Sequence, residues 1–293
     1  MNRPLVVIVG PSASGKSQLA LRLATAFNAE IVSADSWSVR RHLDIGTSKP
    51  SKADLAKVPH HLIDIIDPDD DFTAVAFKAV AITAIKDIQQ KGKLAILVGG
   101  SGLYIYSLVY DYSFAPRGSL TNRAKLNAMP LEDLQALALG QGLDLSTIDS
   151  RNKRRVIRMI ETRGVTATKQ ELRPGTLIIG LAVDKTQLID NITKRVDDML
   201  ARGLEDEVRS LSKKYGWECE GLKGIGYQEW KLYFDGQQSL PVTRERIIKD
   251  TLLLAKRQNT WFKANKSIHW FTTPVKYIDV EDLVTSFLNK NIP

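Results

Sequence analysis

The chain of 293 residues has one cysteine and no long apolar run. Its single cysteine, Cys219, excludes an intramolecular disulfide and a cysteine-based metal site. The uncharged segments fall well short of the roughly 20 apolar residues that a membrane-spanning helix needs. The N-terminal residues 1–4 run directly into a strand-like segment and do not resemble a signal peptide. We therefore predict a cytoplasmic globular protein that does not contact a membrane.

What the chain has in excess is positive charge, +8 in all, and this charge is concentrated in two stretches. Residues 151–163 contain six basic residues and one acid, and residues 243–266 contain seven basic residues and two acids. The rest of the chain is close to neutral. Two basic patches on a near-neutral body favour a polyanionic partner.

Strand-like and helix-like segments alternate at the start of the chain. Continuous apolar runs predict buried strands, whereas apolar residues at helical spacing predict helices. The predicted strands are residues 5–9, 30–34, 62–66, 94–98 and 177–183, and the predicted helices include 15–27 and 73–91. This alternation predicts an α/β fold with a parallel sheet flanked by helices.

Residues 113–173 interrupt this alternation, because they show helical patterns and no strand. Turn-like segments at residues 115–118 and 173–175 bracket the region. We predict a helical insertion domain at 113–173 in a core formed by residues 1–112 and 174–293. The end of the chain is predicted to be mostly helical, with a long helix at 243–266.

A phosphate-binding loop follows the first predicted strand. Its sequence fits the pattern G-x-x-x-x-G-K-[S/T] and reads Gly10-Pro11-Ser12-Ala13-Ser14-Gly15-Lys16-Ser17. The glycines let backbone N–H groups curl around an anion, and the following helix N-terminus adds a favourable dipole. Lys16 brings a positive charge to the phosphates, and the hydroxyl of Ser17 is a ligand for Mg²⁺. The loop predicts a site for a diphosphate or triphosphate with Mg²⁺.

The loop alone does not define the reaction. A P-loop kinase normally has a second strand that ends in an Asp directed at Mg²⁺. Here the strand at 94–98 is followed by residues 99–102, Gly-Gly-Ser-Gly, and Asp64 and Asp67 are weaker candidates. A nucleotide kinase therefore remains an alternative at this point.

Asp35 directly follows the second predicted strand. In open parallel sheets, ligands bind beyond the carboxyl ends of the strands, so Asp35 and the P-loop can face one crevice. The alternative role is a cap on the next turn, which is common for Asp.

The motifs together resemble those of the tRNA dimethylallyltransferase family, also called tRNA isopentenyltransferases, of the bacterial type. They run in order across almost the whole chain. Besides the P-loop they are Ala34-Asp35-Ser36, Leu43-Asp44-Ile45-Gly46-Thr47-Ser48-Lys49-Pro50, His60-His61-Leu62-Ile63-Asp64, Asp67-Pro68, Val98-Gly99-Gly100-Ser101-Gly102-Leu103-Tyr104, Arg195-Val196-Asp197-Asp198-Met199-Leu200, Gly203-Leu204, Glu207-Val208, Ile225-Gly226-Tyr227, Ala255-Lys256-Arg257-Gln258 and Trp261.

The resemblance implies transfer of a dimethylallyl group from dimethylallyl diphosphate to N6 of adenosine 37, in tRNAs that read codons beginning with U. It also implies that Gly10–Ser17 bind the donor diphosphate, with Mg²⁺ at Ser17. Asp35 resembles the general base, and Ser101 stands where the family usually has Thr. Lys16 and Arg195 are implied to stabilise the leaving diphosphate.

The resemblance also implies contacts to the anticodon stem-loop of tRNA. The implied residues are Asp35, Ser36, Trp37, Ser38, Ser101, Arg123, Arg154, Arg155, Val156, Ile157, Arg158, Lys256, Arg257 and Gln258. The spacing of Arg151, Arg155 and Arg158 predicts that the three share one helix face. Residues 37–40 depart from the family pattern, and so does Arg151-Asn152, which replaces Asn-Asp.

Three other functions remain open from the sequence. The first is an adenylate dimethylallyltransferase acting on free AMP, ADP or ATP, which would not need the basic patches. The second is the nucleotide kinase, and the third is a non-catalytic RNA-binding module, which leaves the P-loop and Asp35 unexplained. We expect the protein to be a monomer. We also expect Trp261 and Trp270 to lie in the core rather than to stack on a base.

Overall fold

The computed structural model of the chain describes residues 3–115 and 120–291, which separate into two units. The core unit consists of Met1–Val109 and Leu172–Pro293, and the helical unit is Tyr110–Glu171. In chain order the strands are β1 (Leu5–Val9), β2 (Ala29–Ser33), β3 (His60–His61), β4 (Leu94–Gly99), β5 (Thr176–Ala182) and β6 (Ile268–Thr272).

The helices of the core unit flank the strands, and three further helices belong to the helical unit. In chain order they are α1 (Lys16–Ala26), α2 (Lys52–Lys57), α3 (Ala74–Gln90), α4 (Gly102–Val109), α5 (Leu120–Ala128), α6 (Leu131–Gly140), α7 (Lys153–Thr162), α8 (Lys185–Ala201), α9 (Leu204–Tyr215), α10 (Lys231–Phe234), α11 (Leu240–Lys263) and α12 (Tyr277–Asn291).

The six strands form one parallel sheet in the order β3-β2-β4-β1-β5-β6. Every residue of β1 is buried, as expected for a central strand that helices cover on both faces. Val9 is in register with Gly99 of β4, and Ser33 of β2 with Val98. The loops that follow β1, β2 and β4 therefore meet at one edge of the sheet. The predicted α/β fold is confirmed.

Two apolar clusters stabilise the core unit. One packs α1 and α12 against the sheet, with Val6, Leu23 and Val284 among its buried members. The other joins α8, α9 and α11 through residues such as Ile192, Val208 and Ala255. Burial of this apolar area is the main term that stabilises such a unit.

The helical unit has its own apolar cluster. Its buried members come from α5, α6 and α7 and are Leu126, Leu134, Ala138, Val156, Ile157 and Ile160. Ser113 and Thr168 form an isolated antiparallel bridge near the two ends of the unit.

One predicted strand is wrong, and one observed strand was not predicted. Residues 62–66 do not form a strand, because Leu62 and Asp64 have positive φ angles of 63° and 57°, which turn the chain away from the extended conformation. The strand there is the short β3, immediately before this turn. At the end of the chain, the prediction of mostly helical structure is confirmed, and β6 is an additional short edge strand that the sequence analysis did not identify.

The prediction that Arg151, Arg155 and Arg158 share one helix face is wrong for Arg151. Helix α7 begins at Lys153, and Asn152 is its N-cap, so Arg151 precedes the helix. The exposed Arg151 side chain instead binds Asp149, with Nε donating to Oδ1 at 3.1 Å. Within residues 3–115 and 120–291, we find no helix with the length and hydropathy needed to cross a bilayer.

Candidate active site

The loop between β1 and α1 requires its two glycines. A Cβ atom on Gly10 would lie 2.8 Å from the carbonyl oxygen of Leu181, so a larger residue would clash with the neighbouring strand. Gly15 has a φ of 85° directly before α1, a conformation that L side chains rarely adopt. The Nδ2 of Asn191 donates to the carbonyl of Ala13 at 3.1 Å and ties the loop to α8. The backbone thus has the curled form that the phosphate-binding motif requires.

Lys16 extends back across this loop. Its Nζ donates to the carbonyl oxygen of Pro11 at 2.5 Å and lies 3.5 Å from the Oγ of Ser14. Burial and the nearby Arg195 guanidinium lower the pKa of Lys16 to about 7, although the Asp35 carboxylate opposes the shift. An anion bound in the loop would favour the charged ammonium.

Asp35 caps the turn that follows it and also faces the P-loop cavity, which are the two positions considered from the sequence. Its Oδ1 accepts hydrogen bonds from the backbone N–H groups of Trp37 at 2.8 Å and Ser38 at 3.1 Å, which is the turn-capping role. Both bonds use the same oxygen, so Oδ2 accepts neither of them. Asp35 also lies close enough to Lys16 and Arg195 to influence the pKa of each, and it lines the cavity described next.

Two neighbouring cavities in the core unit share a common wall. The first has a volume of about 120 Å³ beside the P-loop, and the second has about 310 Å³. The second is lined partly by apolar side chains, those of Trp37, Val196, Met199, Ile225, Ile247 and Leu254. The residues that line both cavities are Ser12, Asp35, Thr47 and Arg195.

Arg195 is supplied to this common wall by α8. One of its terminal nitrogens lies 3.4 Å from the carbonyl oxygen of Thr47, a long contact that orients the side chain. Burial lowers the pKa of the guanidinium, while Asp35 acts in the opposite direction. Lys16, Arg195 and Asp35, three residues that the resemblance assigns to catalysis, therefore all line the P-loop cavity.

Ser101 supports the loop that follows β2. Its Oγ accepts a hydrogen bond from the backbone N–H of Ser36 at 3.2 Å and lies 3.4 Å from the Ser36 hydroxyl. Its own N–H donates to the carbonyl of Ala34 at 3.3 Å. Ser101 thus positions residues 34–36, and with them Asp35.

Gln258 of α11 joins the P-loop to the end of β4. Its Oε1 accepts from the backbone N–H of Ser12 at 2.8 Å, and its Nε2 donates to the carbonyl of Gly100 at 3.2 Å. The resemblance placed Gln258 among residues that contact tRNA, but the structure places its amide inside the P-loop cavity wall. Its neighbours Lys256 and Arg257 are exposed, and Arg257 lines the second cavity.

The basic residues predicted to contact RNA in the helical unit differ in their surroundings. Arg154 and Arg155 are exposed on α7. Arg158 donates to the carbonyl of Ala115 at 2.6 Å and lies 3.8 Å from Glu161. Arg123 pairs with the buried Glu161 carboxylate at 2.6 Å.

Two residues of the predicted RNA-binding set are corrected by the structure. The side chains of Val156 and Ile157 are fully buried in the core of the helical unit, so they cannot contact a bound RNA. Their apolar character and their places on α7 account for this burial.

Trp261 is not a core residue, contrary to the prediction. Its side chain is 40% exposed at the end of α11 and lies against Gly102, where a Cβ atom would be 2.4 Å from the indole. Trp270, on the edge strand β6, is half-buried.

The two Asp residues considered for a kinase-type metal site are paired elsewhere. Asp64 binds the ammonium of Lys49 at 2.5 Å, and Asp67 binds Arg41 at 2.9 Å. In the part of the chain that the structure describes, no cluster of three or more His, Cys, Asp or Glu side chains could hold a metal ion.

The chain is similar to known proteins over most of its length. The IPP transferase family model matches residues 38–265, and an AAA domain model matches residues 5–68. The chain is 41% identical over 296 residues to tRNA dimethylallyltransferase 1 of Citrifermentans bemidjiense, covering 97% of each protein. It is 37% identical to the tRNA dimethylallyltransferase of Bacillus subtilis, covering 93% of this chain and 92% of that protein.

Solved structures give the same result. The tRNA isopentenylpyrophosphate transferase of Bacillus halodurans superposes with a TM-score of 0.77 at 32% identity, covering 99% of this chain and 98% of that one. A eukaryotic dimethylallyltransferase acting on tRNA has a TM-score of 0.82 at 23% identity and shares the fold. The resemblance seen in the sequence motifs is thereby confirmed, and the chain belongs to the tRNA dimethylallyltransferase family.

Proposed function

We propose that the protein transfers the dimethylallyl group of dimethylallyl diphosphate to N6 of adenosine 37 in tRNAs that read codons beginning with U. The observation that carries this proposal is the common wall of the two cavities. Asp35 and Arg195 line both a cavity beside a phosphate-binding loop and a second, partly apolar cavity. A transfer reaction between two substrates needs this arrangement, because donor and acceptor must meet at one group of residues.

The P-loop cavity suits the diphosphate of the donor. Backbone N–H groups of the loop and the N-terminus of α1 favour an anion, and Lys16 and Arg195 add positive charge. As the C1–O bond of the donor breaks, the diphosphate leaves with both bonding electrons. Lys16 and Arg195 stabilise that developing negative charge where it appears.

Mg²⁺ is compatible with this site as a partner of the diphosphate. The side chain of Ser17 is an oxygen donor that lines the P-loop cavity, which matches the preference of Mg²⁺ for oxygen ligands. When bound, Mg²⁺ neutralises charge on the leaving group.

The second cavity is proposed to receive the adenine, flipped out of the anticodon loop. The N6 amine attacks C1 of the dimethylallyl group, and the proton that N6 then loses goes to the carboxylate of Asp35. The amine is a weak nucleophile because its lone pair is delocalised into the ring, so both its orientation and the proton acceptor matter. Trp37 lines this cavity and offers an aromatic surface to a base.

The tRNA itself is proposed to bind through exposed basic residues of both units. In the helical unit these are Arg154 and Arg155, and in the core unit they are Lys256 and Arg257. Arg123 pairs with Glu161, and Arg158 donates to the carbonyl of Ala115. We propose that these two arginines stabilise the tRNA-binding surface without contacting the tRNA themselves. We further propose that the enzyme works in the cytoplasm as a monomer that binds one anticodon stem-loop.

The decisive experiment supplies radiolabelled dimethylallyl diphosphate with tRNA, AMP or ATP as the acceptor. We expect label only on tRNA, and digestion to nucleosides should place it on N6-dimethylallyladenosine from position 37. Label on free AMP, or ATP hydrolysis that requires Lys16 without prenyl transfer, would overturn the proposal. Gel filtration of the purified protein tests whether it is a monomer.

A further inference from the structure

Two of the segments that line the second cavity, which we call its two walls, are far apart in the sequence, and helices α8 and α11 line the cavity as well. Gly46 and Thr47 come from the loop that follows β2, and Lys223, Ile225 and Gln228 come from the segment after α9. Neither segment is a helix or strand long enough to fix its own position. The distance between these two walls therefore depends on contacts with other parts of the core unit.

Glu207, in the first turn of α9, forms hydrogen bonds with both of these segments. Its Oε2 accepts hydrogen bonds from the backbone N–H groups of Asp44 at 3.0 Å and Ile45 at 2.7 Å. Its Oε1 accepts from the N–H of Gly46 at 3.0 Å and from the hydroxyl of Tyr227 at 2.7 Å. One carboxylate thus accepts four hydrogen bonds, three from the backbone of residues 44–46 and one from Tyr227 in the other segment. Bonds to an ionised acceptor are roughly twice as strong as bonds between neutral groups.

The packing around these bonds leaves little freedom. A Cβ atom on Gly46 would lie 2.5 Å from the Tyr227 ring, so the loop backbone rests directly on the aromatic ring. Tyr227 is almost completely buried, and its burial and the Glu207 carboxylate raise its pKa well above the usual value. The phenol therefore stays protonated and remains a hydrogen-bond donor to Glu207.

The same loop continues into the catalytic wall. The residue after Gly46 is Thr47, whose carbonyl oxygen is the contact of Arg195. On the other wall, the N–H of Gly226 donates to the buried Glu229 at 2.8 Å. A shift of the loop would therefore move both the surface that receives the acceptor and the guanidinium beside Asp35.

We propose that Glu207 is a positioning residue that fixes the two walls of the acceptor cavity and, through Thr47, the orientation of Arg195. This inference rests on the proposed function, because it assigns the cavity to the adenosine of tRNA. Glu207 lines neither the P-loop cavity nor the second cavity. It acts through the backbone of residues 44–47 and through Tyr227.

The test compares Glu207→Gln with Asp206→Asn. Glutamine keeps the size of the side chain, but its NH₂ group replaces one acceptor oxygen and opposes at least one of the backbone N–H donors. Asp206 is exposed on the same turn of α9, and its substitution removes the same charge without touching either wall. We expect kcat/KM for tRNA to fall about 10²-fold in Glu207→Gln, as for a displacement of about 1 Å, and to stay unchanged in Asp206→Asn.

Two further measurements separate positioning from general destabilisation. The affinity for dimethylallyl diphosphate alone should change less than the kinetic parameters for tRNA, since the P-loop makes no contact with Glu207. Hydrogen exchange of the amides of residues 44–46 should accelerate in Glu207→Gln only. Tyr227→Phe breaks a single bond between the walls and should lower kcat/KM less, and its cost should shrink in the Glu207→Gln background.

The outcomes distinguish this inference from the proposed function. If the wild-type protein does not prenylate tRNA, the proposed function fails. If the wild type is active and Glu207→Gln retains its kcat/KM for tRNA, the positioning role is wrong. The role is also wrong if a folded Glu207→Gln loses as much affinity for dimethylallyl diphosphate alone as it loses in kcat/KM for tRNA, or if Tyr227→Phe has no effect on tRNA kinetics.

Discussion

A single lysine makes the P-loop sensitive to pH. Lys16 has a pKa of about 7, so much of it is neutral at pH 8 when the loop holds no anion. A bound diphosphate raises this pKa because it stabilises the ammonium, and binding at pH 8 must then take up a proton. We predict that the affinity for inorganic diphosphate falls by up to about tenfold per pH unit above pH 7.

Calorimetry in two buffers of different ionisation enthalpy measures this uptake directly. We expect nearly one proton per diphosphate at pH 8 and much less at pH 6. In Lys16→Met the affinity should be lower at all pH values and nearly flat between pH 7 and 9. Equal pH dependence in the two proteins would show that Lys16 is not the group that titrates.

Asp35 allows its chemical role to be separated from its structural role. Its Oδ1 caps the turn at Trp37 and Ser38, and asparagine retains an acceptor oxygen at that position. We predict that Asp35→Asn lowers kcat by about 10² to 10⁴-fold, because the proton acceptor is lost. Binding of tRNA, measured by filter retention, should change only a few-fold.

Asp35→Ala is the informative companion variant. It removes the cap as well as the acceptor, so it should also weaken tRNA binding. If Asp35→Asn turns over at the wild-type rate, another group accepts the proton and the assignment of the base is wrong.

The positions of individual functional residues can be predicted from the sequence where the residues belong to a local motif. The P-loop residues and Asp35 are read from their places after strands β1 and β2. The hydrogen bonds of Gln258 and Glu207 to backbone groups join residues at least 158 positions apart, and no local pattern predicts such contacts. Both residues appear in the sequence motifs, but only the structure shows what their side chains hold.

At the scale of elements, helix α7 offers the clearest test of RNA binding. Arg155 is exposed on this helix, whereas Val156 and Ile157 bury its opposite face. Each phosphate contact releases counterions, so we predict that Arg155→Ala weakens tRNA binding and lowers the slope of log K against log salt by about one.

A salt series of tRNA affinities for wild type and variant provides the measurement. Lys86→Ala, which removes an exposed charge from α3, is the matched control and should leave the slope unchanged. If Arg155→Ala has the wild-type slope, α7 is a solvated helix face. The tRNA would then have to be held by other basic residues, such as Lys256 and Arg257.

The elements that the sequence predicts well are those with a strong local pattern. Buried strands such as β1 and β4 are continuous apolar runs, and Thr73 caps α3 as predicted. The failures occur where tertiary contacts decide. Residues 62–66 are apolar enough for a strand, but positive φ angles turn them, and Lys49 holds Asp64 in that turn. Strand β6 is short and is stabilised by pairing with β5, a contact that its own sequence does not show.

At the scale of the whole molecule, the chain combines a parallel-sheet unit with a helical unit that has a separate apolar core. The sheet unit contains the P-loop, Asp35 and the two cavities described above, which are the parts of the molecule that we propose bind the donor. The two basic stretches of the sequence are divided between the units, one in α7 and one in α11. The clustering of basic residues in these two stretches favours a polyanionic partner, but the clustering alone does not show that the stretches lie in different units.

The ends of the core unit at the insertion are close together, since the N–H of Arg173 donates to the carbonyl of Val109 at 2.8 Å. We therefore predict that residues 110–171 can be replaced by a short glycine linker, and that the shortened protein folds because its apolar clusters remain intact. It should bind dimethylallyl diphosphate within a few-fold of wild type, because the P-loop lies in the core unit. Its tRNA affinity should fall steeply, with a smaller salt slope, because the phosphate contacts of α7 are lost.

Circular dichroism, calorimetry with the donor and a tRNA salt series test the three parts separately. A shortened protein that fails to fold would show that the core unit depends on the insertion, and one that binds tRNA normally would exclude the helical unit from recognition.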